Sequence, residues 1–384
     1  MPIVTRTLAA ARLVRYQAGM ASADCIVVGG GIIGCSIALA LADRGVAVTV
    51  IDRGAPGGEA SWAAGGILAP QAEAHGAGAL FELLRESRRR WPDFARALGD
   101  RSGVDVGYRQ EGTLVVALDD AEAEPLRARA RWQRALGLTV ETLEGGALAR
   151  LEPALAPATL ALRFADDHQV DNRCVMRALV AGCVHAGVRF VRGQVRRLRH
   201  DGRRIFGVDA DGGARDAHSV VLAAGAWTSQ LEGLPARAGT ITPVRGQMIE
   251  LRTPAAPLRH VVFGAGGYLV PRADGRLLCG STEEHVGFVK EVTADGLGSL
   301  RARAARLCPT LATLPVAGRW CGLRPASADA LPYIGATALA GLYLASGHFR
   351  NGVLLAPLTA DIVAALVTGE AVPVDVSALS PARG

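Results

Sequence analysis

Three glycines and one acid near the start of the chain have the types and spacing of a phosphate-binding turn. Gly29, Gly31 and Gly34 follow a short apolar run with G-x-G-x-x-G spacing, and Asp52 ends the next apolar run. The first glycine allows a tight strand-to-helix turn, the second lets a pyrophosphate approach the backbone at a helix N-terminus, and the third lets helix and strand pack closely. An acid at the end of the second strand is placed to hydrogen-bond a ribose diol. Together these residues predict a dinucleotide site.

A βαβ unit is needed to position these four residues. Residues 25–28 and 46–51 read as strands, and the residues after Gly34 have the period of an apolar helix. A glycine-rich loop in an ordinary α/β protein is one alternative. A membrane span is another, because residues 25–42 carry no charge and approach the length of ~20 residues that a span requires. The glycines inside this stretch favour the buried βα unit.

Composition narrows the class of protein and its partners. The 384 residues are half hydrophobic and 20% charged, which suits a globular enzyme with more than one domain. The net charge is +6, but the basic residues are scattered, so we expect no nucleic-acid partner. The seven cysteines contain no C-x-x-C pair, and the eight histidines are dispersed. We therefore expect no disulfide framework, no metal site and a reducing, cytoplasmic location.

Residues 1–23 contain arginines and no acid, which superficially resembles an organelle transit peptide. Met20 stands just before the first predicted strand. We favour an over-long start, with the natural start at Met20, and expect residues 1–23 to be a disordered extension.

The remaining pattern predicts a mixed α/β fold. Residues 54–70 are rich in glycine and alanine and predict an irregular loop that lets a large ligand lie against the backbone. Helices are predicted at residues 80–98, 121–136, 175–185 and from 352 onward. Strands are predicted at residues 108–118, 188–191, 205–210, 214–222, 247–251, 268–270, 277–280 and 342–345. Strands near residues 220 and 343 that return to the first sheet, with a β-rich block between them, predict interleaved domains.

Several motifs in order resemble the D-amino-acid oxidase superfamily of FAD enzymes, most closely its glycine oxidase branch, which serves thiamine biosynthesis. They span residues 24–370 and are VVGGGIIG (27–34), SWAAGGILAP (61–70), LEPAL (151–155), VVLAAGAW (220–227), PVRGQM (243–248), YLVPRADGRLLCGST (268–282), WCGLRP (320–325) and GHFRNGVLLAP (347–357). The resemblance implies a Rossmann-like FAD-binding domain of residues 24–95, 152–238 and 319–376. An interleaved, β-rich substrate-binding domain would comprise residues 96–151 and 239–318.

The resemblance also assigns cofactor contacts. Non-covalent FAD would be held by Gly29, Gly31, Ile32, Ile33, Gly34, Asp52, Arg53, Ala60, Ser61, Gly65, Gly66, Ile67, Val195, His348, Phe349, Arg350, Asn351, Gly352, Val353 and Leu354. A helix N-terminus with a cation such as Arg350 would stabilise negative charge that develops on the flavin. Trp62 stands where the family usually has a small residue. Cys321 lies near the position of a flavin-linking cysteine in sarcosine oxidases, so covalent FAD is the alternative.

Arg324 and Tyr268 are the catalytic and substrate-binding residues that the resemblance implies, and Arg350 would also contact substrate. The fork of an arginine matches a carboxylate bidentately. The alternative for Arg324 is an ion pair with Asp329 or another acid, and for Tyr268 a core aromatic whose hydroxyl is already satisfied.

The implied reaction is hydride transfer from the α-carbon of a small amino acid or amine to flavin, with O₂ as the final acceptor and H₂O₂ as a product. A D-amino-acid dehydrogenase that passes electrons to a quinone is the main alternative. A non-catalytic FAD scaffold and a nicotinamide dehydrogenase fit the motifs less well. No stable membrane insertion is expected, and a homotetramer is expected by analogy alone.

Overall fold

The computed structural model describes residues 23–144, 146–235, 239–253 and 257–383. Residues 1–22 of the expected N-terminal extension lie outside this part of the chain. The described residues form two large β-sheets with helices packed around them, and this architecture confirms the predicted mixed α/β class.

Helices and strands are mixed along the whole length of the described chain. The helices are α1 (Ile32–Ala42), α2 (Ala60–Ala63), α3 (Pro70–Glu73), α4 (Ala79–Ser102), α5 (Asp120–Ala135), α6 (Ala147–Leu151), α7 (Asn172–His185), α8 (Ala294–Leu307) and α9 (Gly352–Thr368). The strands are β1 (Ala23–Val28), β2 (Val48–Asp52), β3 (Ile67–Leu68), β4 (Thr113–Ala117), β5 (Glu141–Leu143), β6 (Leu160–Phe164), β7 (His168–Gln169), β8 (Arg189–Arg192), β9 (Val195–His200), β10 (Ile205–Ala210), β11 (Gly213–Leu222), β12 (Thr242–Arg252), β13 (Val261–Gly264), β14 (Gly267–Pro271), β15 (Arg276–Gly280), β16 (Val316–Ala326), β17 (Tyr333–Ala336) and β18 (Leu342–Ser346).

The first sheet contains the predicted βαβ unit. Its order is β17-β18-β11-β1-β2-β8, and β1 pairs in parallel with both β2 and β11. Cys25 and Val27 of β1 pack into one hydrophobic core, whereas Ile26 and Val28 pack into another. Since side chains alternate along a strand, the sheet is covered on both faces, as expected for a Rossmann-like sheet. The charge-free stretch at residues 25–42 is therefore β1 followed by α1.

The second sheet has the order β16-β12-β15-β14-β13-β4-β6-β5 and is antiparallel except for the pair β4 and β13. Its strands alternate along the chain with those of the first sheet, as the interleaved arrangement requires. Two segments predicted for the FAD-binding domain, which begin at residues 152 and 319, include β6 and most of β16. Both of these strands belong to the second sheet. Sheet membership therefore supports interleaving, while the exact division into domains stays a prediction.

Residues 54–70 are more ordered than the sequence predicts, since they contain α2, β3 and the start of α3. Distant side chains fix this segment. The amide nitrogen of Asn172 donates to the carbonyl oxygens of Ser61 at 2.7 Å and Trp62 at 3.1 Å. The carboxylate of Asp167 accepts from the N–H of Ala72 at 2.7 Å and the N–H of Gln71 at 3.2 Å. Composition alone does not reveal such long-range contacts.

We expect Gly34→Ala to destabilise the fold. A Cβ at position 34 would lie 1.9 Å from the carbonyl oxygen of Gly29, so α1 would have to move away from the turn. The free energy of unfolding should fall by about 1–3 kcal/mol, although alanine is intrinsically the better helix former. Chemical denaturation of the purified holoprotein measures it.

Gly298→Ala in α8 is the matched control for this prediction. A Cβ there meets nothing within 4 Å, so the substitution should be neutral or stabilise the protein by up to about 1 kcal/mol. Equal effects of the two alanines would contradict the close-packing explanation.

Candidate active site

One elongated cavity of about 410 Å³ is lined by residues from both sheets. We call the residues around the glycine turn, namely Gly29, Gly31, Asp52 and Val195, the turn end. We call Glu73, Tyr268, Arg324 and Arg350 the arginine end, because their charges act on one another. The cavity therefore joins the predicted cofactor residues to the predicted substrate residues.

The turn end presents a helix N-terminus and a fixed carboxylate. The N–H of Ile32 donates to Ser61 Oγ at 2.9 Å, and the other first-turn N–H groups of a helix have no acceptor within that helix. The carboxylate of Asp52 accepts from the N–H groups of Gly30 and Gly54, both at 2.7 Å. Burial raises the pKa of Asp52, and these two N–H groups oppose that rise. An anionic phosphate suits the helix end, and a hydroxyl donor suits the acid.

Arg53 lies at the margin of the turn end. Its guanidinium carbon is 3.7 Å from the centre of the Trp227 ring, and its Nη2 atom is 2.8 Å from Glu59 Oε1. Both partners also line the cavity. Arg53 is thus held by an aromatic face and a carboxylate beside the position where the adenosine was expected.

Two buried side chains, those of Asn172 and Arg272, donate hydrogen bonds to carbonyl oxygens of the loop that carries Ser61, Gly65 and Gly66. Asn172 binds the carbonyls of Ser61 and Trp62, as described above. Arg272, only 3% exposed, donates from Nη2 to the carbonyl oxygen of Gly65 at 2.6 Å and from Nη1 to Gln169 Oε1 at 2.9 Å. Since the C=O and N–H of a trans peptide point in opposite directions, the N–H of Gly66 points away from Arg272.

Among the described residues, Arg324 has only neutral acceptors. Its Nη2 donates to Ser281 Oγ at 2.7 Å and its Nη1 to the carbonyl of Thr282 at 3.2 Å. A Cβ on Gly246 would lie 2.3 Å from Nη1, so a glycine on the neighbouring strand makes room for the guanidinium. The alternative of an ion pair with Asp329 is wrong, because Asp329 pairs with Arg383 at 2.8 Å.

Tyr268 faces the cavity beside Arg324. Its hydroxyl lies 3.2 Å from Met248 Sδ, a weak acceptor, and the side chain of Ser281 also interacts with it. Burial raises the pKa of Tyr268, and the phenol therefore stays a neutral hydrogen-bond donor.

The turn before α9 brings one cation and one neutral imidazole to the cavity. Arg350 is half exposed and forms an ion pair with Glu283. His348 is buried, with Nε2 3.1 Å from Thr359 Oγ1, and burial lowers its pKa to about 3. The helix itself begins at Gly352 without a side-chain cap. Positive charge at this edge thus comes from Arg350 and the helix N-terminus, not from His348.

Most of the predicted site residues line this one cavity. They are Gly29, Gly31, Ile32, Ile33, Asp52, Arg53, Ala60, Ser61, Gly65, Gly66, Ile67, Val195, Tyr268, Arg324, His348, Phe349, Arg350, Gly352 and Val353. Gly34, Asn351 and Leu354 are not among the lining residues. Gly34 packs α1 onto the turn, and the carbonyl of Leu354 accepts from Ser87 and Trp91.

Two residues singled out in the sequence lie elsewhere. Trp62 does not line the cavity, since it stacks against the Arg173 guanidinium at 3.7 Å. Cys321 is likewise absent from the lining, whereas Gly322 and Arg324 of the same strand are present. This placement favours non-covalent cofactor binding.

Sequence reasoning missed Glu73, Trp227, Met248 and Ser281, which line the cavity, and Arg272 and Asn172, which support it. The motifs contained four of the six, all but Glu73 and Asn172, but nothing in their pattern distinguished a cavity residue from its neighbours. Met248 ends PVRGQM and Ser281 lies in LLCGST, so their membership of shared motifs was the one available signal.

A family model described as "DAO: FAD dependent oxidoreductase" matches residues 24–366. The chain belongs to this family. Its cofactor is therefore FAD, in agreement with the sequence prediction. The site fits that group, because an uncapped glycine turn, a fixed carboxylate and a second helix N-terminus line one continuous cavity.

Curated relatives and solved structures agree with this membership. The oxidoreductase is 34% identical over 365 residues to glycine oxidase of Geobacillus kaustophilus, covering 94% of this chain and 97% of that protein. It is 36% identical over 347 residues to the bifunctional protein ThiO/ThiG of Trichormus variabilis, covering 89% of this chain but only 52% of that longer protein. The crystal structure of the Geobacillus kaustophilus glycine oxidase superposes with a TM-score of 0.90 at 34% identity, covering 94% of this chain and 99% of that one.

The described residues contain no helix long and apolar enough to cross a membrane. They also contain no group of three or more His, Cys, Asp or Glu side chains that could hold a metal ion.

We expect Arg272→Met in the oxidoreductase to weaken FAD binding. The substitution would leave the carbonyl of Gly65 and the amide of Gln169 without their buried donors, at about 1–3 kcal/mol each. The dissociation constant of FAD should therefore rise about tenfold or more. Titrating the apoprotein with FAD and following flavin fluorescence measures it.

Arg203→Met, in the exposed turn between β9 and β10, serves as the control for loss of one positive charge. If both variants bind FAD equally well, Arg272 does not shape the loop.

Proposed function

We propose that this chain is an FAD-dependent oxidase of glycine or another small amino acid or amine. The products would be the imine, which hydrolyses to the 2-oxo acid and ammonia, and H₂O₂. The observation that supports it most is Arg324, a guanidinium in the cavity with neutral acceptors only. The likeness of the chain to glycine oxidases and to ThiO/ThiG proteins supports a role in supplying the imine for thiamine thiazole synthesis.

Arg324 is suited to hold the carboxylate of the substrate. Ser281 Oγ and the carbonyl of Thr282 fix the plane of the guanidinium, while neither neutralises its charge. A guanidinium forms two parallel hydrogen bonds with a carboxylate, so it sets both position and orientation. Tyr268 lines the same end of the cavity and offers a hydroxyl donor to the same group. A substrate anchored in this way presents its α-carbon in one direction.

The turn end would hold the phosphates and ribose of FAD, through the N-terminus of α1 and the carboxylate of Asp52. When bound, FAD supplies the acceptor for the two electrons that leave the α-carbon. The N-terminus of α9 and Arg350 line the same cavity and would stabilise negative charge that develops on the bound cofactor. Arg272 fixes the carbonyl of Gly65 in the loop that would face the cofactor.

We further propose a cytoplasmic homotetramer. All seven cysteines are free thiols, which is consistent with a reducing compartment. The tetramer rests on the resemblance to the glycine oxidase branch, and sedimentation equilibrium of the purified holoenzyme tests it: a monomer would contradict it.

We expect glycine, added without oxygen, to bleach the absorbance of the oxidised cofactor, and readmitted O₂ to restore it with formation of H₂O₂. Arg324→Gln should lower kcat/KM for glycine about a hundredfold or more, because two charge-assisted hydrogen bonds to the carboxylate are lost. Stopped-flow spectroscopy and oxygen consumption give the two readouts.

Arg319→Gln is the matched control for this prediction. Arg319 is exposed and lies on the same strand, β16, so its loss should leave the rate unchanged. Bleaching by D-alanine or D-proline but not by glycine would replace the substrate assignment. Turnover with a quinone analogue but not with O₂ would favour the dehydrogenase.

A further inference from the structure

At the arginine end, two groups of opposite charge form no ion pair with any described residue. Arg350 already forms an ion pair with Glu283, whereas the described residues offer Arg324 only neutral acceptors. Among the described residues, no side chain forms an ion pair or a hydrogen bond with the carboxylate of Glu73. Both Glu73 and Arg324 line the cavity. One free cation and one free anion thus face the same space.

The backbone that carries Glu73 is firmly held. Glu73 is the last residue of α3, whose first N–H groups are bound by Asp167. The side-chain amide of Gln71 donates to Gln133 Oε1 at 2.9 Å, and Arg129 donates to the carbonyl of Ala72. The fold therefore fixes the backbone position from which the Glu73 side chain extends, although no described side chain binds the carboxylate itself.

The ionisation of Glu73 is balanced near neutrality. Burial raises its pKa to about 7, and the charges of Arg350, Arg324 and Arg129 oppose that rise. Asp167, which is buried beside α3, interacts with it as a like charge. Tyr268 is a neutral phenol in this range, and burial lowers the pKa of nearby His75. Glu73 therefore both binds and releases a proton in the working range of the enzyme.

We propose that Glu73 recognises the ammonium end of the substrate while Arg324 holds the carboxylate, so that the cavity selects zwitterionic amino acids over 2-hydroxy acids. This inference rests on the proposed function and deepens it. A glycine zwitterion carries one charge of each sign and complements the pair, whereas glycolate would leave the Glu73 carboxylate facing a neutral hydroxyl. Burying a charge without a partner is costly, so the difference favours the amino acid.

The contact between Glu73 and the ammonium group also provides an acceptor for the proton that the substrate must lose. An amino acid enters with an ammonium group, yet hydride can leave the α-carbon only when nitrogen has a lone pair to form the imine. The ionised carboxylate of Glu73 takes that proton: an N–H bond breaks, an O–H bond forms, and the electron pair stays on nitrogen. The protonated Glu73 then returns the proton to water at the cavity mouth.

Glu73→Gln tests the assignment, because it removes the charge and keeps the size. At pH 8, where Glu73 is ionised, kcat/KM for glycine should fall about tenfold to a hundredfold. The inhibition constant of glycolate should stay the same or decrease. In the normal enzyme, kcat/KM for glycine should rise as pH increases through about 7, since protonated Glu73 cannot accept the proton. That rise should be absent in Glu73→Gln.

Two further variants distinguish the effect of the Glu73 charge from a general structural effect of substitution at this site. Glu73→Asp keeps the charge and should retain both the pH-dependent rise and part of the preference for glycine. His75→Asn removes one other titratable group nearby and should leave the rise in place; Asp167, whose pKa burial raises to about 8, is the same in every variant. Equal weakening of glycine and glycolate in Glu73→Gln, or a rise that persists there, would overturn the inference.

The normal enzyme alone provides a second measurement, which does not depend on the folding of a variant. Glycolate should bind more tightly as pH falls below 7 and neutralises Glu73, whereas glycine should bind less tightly. Parallel pH dependences of the two ligands would overturn the inference. An enzyme whose cofactor is not reduced by glycine at any pH would instead refute the proposed function.

Discussion

A buried guanidinium links the second sheet to the loop that lines the cavity. Arg272 follows β14 of the second sheet, and its hydrogen bonds go to Gly65, just before β3, and to Gln169 of β7; β3 and β7 form a small sheet of their own. Beside it, Asp171 caps α7 and pairs with Arg276, and although burial opposes ionisation, Arg272 and Arg276 lower its pKa to about 2. The loop that lines the cavity is thus held in part by a side chain from the second sheet.

The two sheets supply different parts of the chemistry. The first contributes backbone N–H groups and one fixed acid, Asp52, which suit phosphates and a ribose. The second contributes Tyr268 and Arg324, which suit a small carboxylate. Glu73 lies on the connection between them, directly after the loop that Arg272 holds. Electron transfer requires the cofactor and the substrate to lie in one cavity that excludes most water. Residues from both sheets line that cavity.

The sequence predicts those parts that depend on local spacing. The glycine turn, Asp52 and the long helices have strong periodic or positional signals, and Arg324 and Tyr268 were found through resembling motifs. Three features had no local signal. The ordered segment at α2 and α3 depends on Asn172 and Asp167, which are about a hundred residues away. In the sequence, Arg272 is one arginine among many. Glu73 is distinguished only in the folded structure, where no described cation lies close enough to form an ion pair with it.

The order of strands in the first sheet has a consequence for how the chain folds. Strand β1 is made early in synthesis, but one of its two neighbours, β11, ends only at Leu222, and β18, beyond it, ends at Ser346. Long loops must therefore close before these parallel pairs can form, which makes folding slow. Until then the apolar edge of β1 is exposed on the ribosome, where it is prone to aggregate. The edge of β1 should therefore need protection from aggregation until β11 has joined it.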